Sequence, residues 1–244
     1  MTKKTMFPSI CCMFLVLLTY AQDNNLKTQL QLLKKKPEHE FYFNSKGFLK
    51  IENAKFYTKS GDTNVFVLTP ENIHLIDFNN DGEKDVIYQE NKPYKSTILL
   101  VKRGNDFVEI WNGTGTLVQV KQGEITNLYI RRNAIGCLYT STLFELSIKN
   151  DSSFTENIIS IHSETELNEV NTIFEQKIIS GILRTQAIED DTKKTDPCTG
   201  DLKIGNQLRI MEKEQVTVIK KQNEWLLIVA EEKNQSMIGW VKNW

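Results

Sequence analysis

The chain has 244 residues, of which 40% are hydrophobic and 25% are charged, with 30 basic and 31 acidic side chains. This composition is that of a globular protein with one large or two small cores, and it excludes a chain that is disordered over most of its length. The formal net charge of -1 provides no general attraction for nucleic acid or for an anionic membrane, so neither is expected as a partner.

Residues 1–21 have the pattern of a secretory signal peptide: two lysines, an apolar run, and then Ala21 as a small residue for cleavage. The apolar run has about a dozen residues, whereas a bilayer span takes roughly 20. Cleavage after Ala21 is therefore favoured over an uncleaved membrane anchor, and a lipoprotein signal acylated at Cys11 is a third alternative. The pattern predicts an exported protein, periplasmic or extracellular, with no membrane span after cleavage.

Cleavage leaves two cysteines, Cys137 and Cys198. Two cysteines in an oxidising compartment can form a disulfide, but their spacing in sequence does not establish the geometry. Because the chain has no CxxC pair, a zinc site is not expected.

Residues 22–37 are predicted to contain a short helix. Its apolar stripe is formed by Leu26, Leu30 and Leu33, an asparagine at 24 or 25 can cap it, and Pro37 ends it.

Residues 38–188 are predicted to form a β domain. Short runs rich in β-branched and aromatic residues alternate with Gly, Asn and Asp, which is typical of strands joined by hairpins. The clearest runs are Val65–Leu68, Thr97–Val101 and Phe107–Trp111, and the separating turns include 103–106 and 112–113. One helix is predicted from the capping box Ser163-x-x-Glu166 and the apolar spacing after it.

Residues 189–201 are predicted to be a linker, because charged residues crowd there with Pro197 and Gly200 and few side chains suit a core. The last segment, 202–244, is again strand-like. A unit of that size is marginal alone, so it is expected to pack on the larger domain or to form a compact barrel.

The stretch Asp77-Phe78-Asn79-Asn80-Asp81-Gly82-Glu83-Lys84-Asp85 is the strongest candidate site. Oxygen donors at alternating positions can converge on one hard cation, and Gly82 permits the turn that brings Asp85 to the same centre. Calcium suits this donor set because it accepts six to eight oxygen ligands in flexible geometry, and the Glu83 carbonyl is a further candidate ligand. The alternative is a polar hairpin loop without metal, since Asn, Asp and Gly favour turns.

The loop begins like an EF-hand, but Tyr88 stands at the twelfth position, where that motif needs Glu. Its flanks, 73–76 and 86–88, are strand-like, so the pattern predicts a calcium loop between two strands. The segment HLIDFNNDGEKDVIYQ resembles one repeat of the FG-GAP or VCBS type. The resemblance implies a structural Ca²⁺ bound between neighbouring strands, and a single copy does not predict a full propeller. The ligands that it implies are Asp77, Asn79, Asp81 and Asp85.

The C-terminal segment resembles a bacterial SH3-like domain. The resemblance is carried by the alternating run 215–221, by Trp225 with the apolar residues after it, and by Gly239-Trp240-Val241. It implies a small barrel over 202–244 that binds cell-wall peptides or targets an exported protein. Trp225 and Trp240 are expected in the core, and Trp244 is the candidate ligand-binding aromatic.

Motifs for catalysis are absent from the sequence. The three histidines are isolated, and no G-x-S-x-G, S-x-x-K, P-loop or dinucleotide fingerprint occurs. The one nucleophile–base pair that can be drawn is Cys137 with His162. Cys137 is predicted to lie in a strand rather than at a helix N-terminus, so a buried or disulfide-bonded cysteine is favoured.

The sequence therefore predicts a mainly β protein: an antiparallel β domain with a strand-loop-strand calcium site, a small C-terminal SH3-like barrel and few short helices. The leading hypothesis is an exported, calcium-stabilised, non-catalytic binding or scaffold protein whose partner is a cell-wall peptide or glycan, another surface ligand or a protein. The second is an inhibitor or immunity-type protein that binds an exported enzyme. The third is a cell-wall cysteine hydrolase.

Overall fold

The structure, a computed structural model, describes residues 24–34, 56–57, 72–90, 95–167 and 173–243. Most of these residues lie in β-strands, which confirms the predicted mainly β class, and residues 24–34 form a short helix, α1. Within these ranges no helix is long and apolar enough to cross a membrane. The predicted signal peptide, the run Val65–Leu68 and Trp244 lie outside the described residues.

A five-stranded sheet is formed by the first part of the described chain. Its strands, in order across the sheet, are β1 (Phe56–Tyr57), β5 (Asp106–Thr114), β4 (Ser96–Arg103), β3 (Asp85–Gln89) and β2 (Ile73–Ile76). Neighbours from β2 to β5 are antiparallel, and β1 is parallel to β5. The prediction of a turn at 112–113 is wrong, because the ladder with β4 continues to Thr114.

An eight-stranded sheet follows. Its strands, in order, are β10 (Glu175–Arg184), β13 (Gln207–Gln222), β14 (Trp225–Glu232), β15 (Gln235–Lys242), β9 (Phe154–His162), β8 (Thr140–Ile148), β7 (Thr126–Arg132) and β6 (Thr116–Lys121). The pair β15–β9 is parallel and the other neighbours are antiparallel. A separate two-stranded ribbon consists of β11 (Lys193–Thr195) and β12 (Leu202–Ile204).

Strand pairing continues across the predicted linker at 189–201, which itself contains β11. Two strands that precede the linker, β10 and β9, pair with strands that follow it, β13 and β15 respectively. The strands β10, β13, β14 and β15 close into a ring because Arg184 also pairs with Trp240. Gly239 allows this closure, since a Cβ there would lie 2.9 Å from the Arg184 carbonyl oxygen. The ring includes β10, which precedes residue 202, and the division into two domains stays a prediction.

The middle of the large sheet has apolar side chains on both faces. In β7, Leu128 and Ile130 enter a core shared with the five-stranded sheet, whereas Tyr129 enters a second core under α1. We call the second one the junction core, because strands from both ends of the large sheet contribute to it. Its buried members are Leu30, Leu32, Leu33, Tyr129, Leu143, Ile159, Ile161, Ile219, Trp225, Leu227, Val229, Ile238 and Trp240.

Helix α1 packs its leucine stripe on the junction core, with Leu30 and Leu33 buried as predicted. A buried carboxylate also holds the helix: Asn25 and Gln29 donate hydrogen bonds to Glu145 Oε2 at 3.2 and 2.7 Å. The helix is therefore fixed to β8 by polar as well as apolar contacts.

The helix predicted from Ser163 is wrong over residues 163–167, which form a turn and an irregular segment. Contacts with the end of β10 replace the capping box. The Thr165 hydroxyl donates to the Thr185 carbonyl, and the Thr185 hydroxyl donates to the Glu164 carboxylate, both at 2.8 Å. Residues 168–172, which would continue the helix, lie outside the described residues.

Candidate metal centre

The predicted calcium loop connects β2 and β3, which are antiparallel, and Ile76 is the register partner of Asp85. The prediction of a loop between two strands is thus confirmed. Two residues in the loop have left-handed backbones, Asn80 with φ 58° and Gly82 with φ 89°. Glycine and asparagine adopt this conformation at the lowest steric cost, which explains why the chain reverses here.

Three of the four predicted ligands share one turn. The Asp77 carboxylate accepts hydrogen bonds from the backbone N–H groups of Asp81 (3.1 Å) and Gly82 (2.9 Å). The Asn79 amide nitrogen donates to Asp81 Oδ2 at 2.8 Å, and Asp81 Oδ1 accepts the N–H of Glu83 at 2.8 Å. Short polar side chains therefore organise the loop through the backbone, as Asx turns do.

The fourth predicted ligand, Asp85, is the fully buried first residue of β3. Its two carboxylate oxygens accept backbone N–H groups, one from Phe78 at 3.1 Å and one from Lys102 at 3.0 Å. Burial raises the pKa of Asp85 to about 6, the two N–H groups oppose the rise, and the negative charges of Asp81 and Asp77 add to it. Asp85 is thus close enough to the other two carboxylates for their negative charge to raise its pKa.

The loop is attached to the eight-stranded sheet at two of its turns. At the β6–β7 turn, Asn80 donates to the Gly123 carbonyl at 3.0 Å and Gln122 donates to the Asp77 carbonyl at 3.1 Å. At the β8–β9 turn, the Asn79 amide donates to Ser152 Oγ at 3.0 Å. Sequence reasoning did not identify Gln122 or Ser152, because neither has a local signal that relates it to a loop over forty residues away.

The donor chemistry of the loop fits calcium, which prefers carboxylate, amide and carbonyl oxygens. Each carboxylate offers about four lone-pair sites, so an oxygen that accepts one N–H can still bind a cation. The described residues nevertheless contain no group of three or more His, Cys, Asp or Glu side chains arranged to hold a metal ion. The carboxylates of the loop are engaged with backbone N–H groups, and calcium binding would require them to turn toward one centre.

Cys137 and Cys198 form a disulfide with a Cα–Cα distance of 5.6 Å. The prediction that Cys137 lies in a strand is wrong, because it lies in a tight turn with Gly136, whose φ is 57°, between the bridge partners Ile135 and Leu138. The preference for a disulfide-bonded cysteine is confirmed. The bond leaves Cys137 with no thiol to act as a nucleophile beside His162.

No protein-family model, no curated protein and no solved structure matches the chain. The resemblances to FG-GAP or VCBS repeats and to bacterial SH3-like domains therefore stay predictions from the residues quoted above. The fold and the site define a mainly β, disulfide-bonded protein with an acidic loop that is attached to both of its large sheets.

Proposed function

We propose that the protein is an exported, calcium-stabilised binding or scaffold protein without catalytic activity. The observation that carries the proposal is the single β2–β3 turn that contains Asp77, Asn79 and Asp81 directly before Asp85. The disulfide supports an exported protein, because disulfides form and persist in oxidising compartments. The secretory pattern of residues 1–21 supports the same compartment.

The role proposed for calcium is structural. The negative charges of Asp81 and Asp77 raise the pKa of Asp85, which means that these carboxylates repel one another. A bound calcium ion would supply the positive charge that removes this repulsion. Because Asn79 and Asn80 attach the loop to turns of the second sheet, an ordered loop holds one end of the two sheets together.

Calcium is expected to raise the melting temperature of residues 22–244 by about 5 °C at 10 mM. This follows from a dissociation constant of about 10⁻⁴–10⁻³ M, typical of extracellular calcium modules, and from the stabilisation that a ligand gives by binding only the folded state. Isothermal titration calorimetry measures the affinity and scanning calorimetry the shift. Asp81→Ala is expected to abolish both, whereas Asp201→Ala, which removes an exposed carboxylate on the β11–β12 ribbon, leaves both unchanged. An equal shift in Asp81→Ala would contradict the assignment.

The binding role is tested separately from the metal. We expect the mature protein to sediment with purified cell wall, and the matched control is a wall preparation from which the peptide stems have been removed. Loss of binding to that control identifies the peptide as the ligand, and unchanged binding identifies the glycan. The proposal is contradicted if the protein stays in the supernatant and a pull-down with it recovers one tightly bound enzyme. That result would identify the protein as an inhibitor.

A further inference from the structure

The β11–β12 ribbon and its flanking residues form an arm, defined here as residues 192–205. All six strand residues of the arm are exposed, so little apolar burial holds it to the body of the protein. The base of the arm is fixed by hydrogen bonds: the Gly205 N–H donates to the Thr192 carbonyl at 2.6 Å, and the Asn206 N–H donates to the Asp190 carbonyl at 3.1 Å. Buried Arg184 adds a contact to Asp191 at 2.8 Å. The arm is thus a hairpin on a rigid base.

The tip of the arm, residues 196–201, is ordered by Asp196. Its carboxylate accepts the N–H groups of Cys198 at 2.7 Å and Thr199 at 3.2 Å and pairs with Lys203. The tip is joined to the body at Cys198 and Asp196, and Lys203 on β12 adds a cation–π contact, its Nζ 4.3 Å from the centre of the Tyr139 ring. Cys198 is bonded to Cys137, and the Tyr139 hydroxyl lies 3.3 Å from Asp196 Oδ1. The covalent bond therefore holds the end of the arm that lies farthest from its base.

The disulfide is exposed to solvent, where a thiolate can reach it. Both cysteines are exposed, and Cys137 lines a cleft of about 820 Å³ between the arm and the body. Apolar side chains stand on both sides of the cleft, Leu202 and Ile204 on the arm and Leu138 and Ile210 on the body. Exposed disulfides are the labile ones, because thiol exchange requires an incoming thiolate to reach a sulfur atom.

We propose that the Cys137–Cys198 disulfide holds the arm to the body and is reduced by a dithiol, which releases the arm. The dithiol attacks Cys137, and Cys198 is the leaving group. The single hydrogen of the Tyr139 hydroxyl can reach either Asp196 Oδ1 at 3.3 Å or Cys198 Sγ at 3.1 Å, and it turns to the sulfur when negative charge develops there. A donor at that distance stabilises the thiolate that forms on Cys198, and a more stable leaving thiolate departs faster. No such donor to Cys137 Sγ occurs among the described residues, so the two sulfurs differ.

The exchange is balanced in two steps. An incoming thiolate bonds to Cys137 Sγ while the electron pair of the Cys137–Cys198 bond leaves on Cys198 Sγ. The second thiol of the reductant then attacks the mixed disulfide and releases Cys137 as a thiolate. The dithiol becomes a disulfide, and two electrons and two protons have passed to the two cysteines. The freed tip lets the arm swing on its base, so the apolar walls of the cleft no longer face each other.

Hydrogen exchange with mass spectrometry tests the release of the arm. Reduction of the full mature chain with dithiothreitol is expected to raise exchange at least tenfold over residues 193–204 and 135–139 and to leave β14 protected. The double variant Cys137→Ser, Cys198→Ser is expected to exchange like the reduced protein and to be insensitive to dithiothreitol. Unchanged exchange in the arm, or a loss of protection that extends through β14, would overturn the proposal.

A trapping experiment tests the direction of attack. The probe is a dithiol oxidoreductase whose second cysteine is replaced by serine, so that the mixed disulfide accumulates and peptide mapping locates it. We expect it on Cys137. Tyr139→Phe keeps the ring that stacks on His162 but removes the hydroxyl from both Asp196 and Cys198. A looser tip alone would speed trapping. We expect trapping to slow about fivefold to tenfold and to lose its preference for Cys137, because the hydrogen bond to the charged sulfur is lost. Trapping mainly on Cys198, or an unchanged rate and preference in Tyr139→Phe, would refute the assigned roles.

Discussion

Truncation of Leu227 to Ala is expected to lower the free energy of unfolding by about 3–5 kcal/mol. Leu227 is 0% exposed and lies in the junction core, where α1, β7–β9 and β13–β15 meet. A closely packed interior collapses only partly around a missing side chain, so the variant loses both the burial of the removed atoms and the contacts around the cavity. Urea unfolding followed by circular dichroism measures the loss.

The same variant tests whether the two predicted domains unfold separately. Because β7 and β8 have one face in the junction core and the other in the core shared with the five-stranded sheet, we expect β4 and β14 to lose hydrogen-exchange protection at the same urea concentration. Ile210→Ala is the control, since Ile210 is 70% exposed on β13, and it is expected to change stability by less than about 0.5 kcal/mol. If Leu227→Ala destabilised β14 and left β4 unchanged, the unfolding would follow the boundary predicted at 189–201 instead.

The strands were predictable where the signal is local. The run Trp225–Val229 lies in β14, and the turn before it contains Asn223 with a positive φ of 53°. The pairing of the strands was harder to predict from the sequence, because the partner of a strand depends on chain segments far away. Nothing near Gln235–Ile238 indicates that these residues run parallel to β9. The assignment of β10 to the same sheet as β13 and β14 depends in the same way on long-range contacts.

In the candidate site, too, the residues placed by local geometry were predictable from the sequence, and those placed by long-range packing were not. Alternating donors place Asp77, Asn79 and Asp81 in one turn through local geometry alone. Gln122 and Ser152 reach that turn only because two sheets pack together. The capping box at Ser163 failed for the opposite reason: its local preference was overridden by hydrogen bonds to Thr185, which is close in space and distant in sequence.

In the metal-free protein, Asp85 is expected to make the fold less stable as the pH rises from about 4 to about 7. Burial raises its pKa from 3.8 to about 6 in the folded state. The folded protein therefore holds this proton more tightly than the unfolded chain, and the resulting stability is complete below pH 3.8 and is lost as the pH passes 6. The difference corresponds to about 3 kcal/mol. Urea unfolding in EDTA at several pH values measures it.

The contribution of Asp85 is isolated by comparison with Asp85→Asn, which cannot titrate. The variant loses an acceptor for a backbone N–H and is expected to be less stable at every pH, but its stability should lack the fall that the wild type shows between pH 4 and 7. Asp201→Asn should retain that fall. Calcium at neutral pH should cancel the fall in the wild type, because a cation near Asp85 favours the ionised carboxyl and lowers its pKa. Equal pH dependence in wild type and Asp85→Asn would mean that the two backbone N–H groups already offset the burial of the charge. In that case the buried carboxylate would need no metal, and the loop would be an ordinary hydrogen-bonded turn.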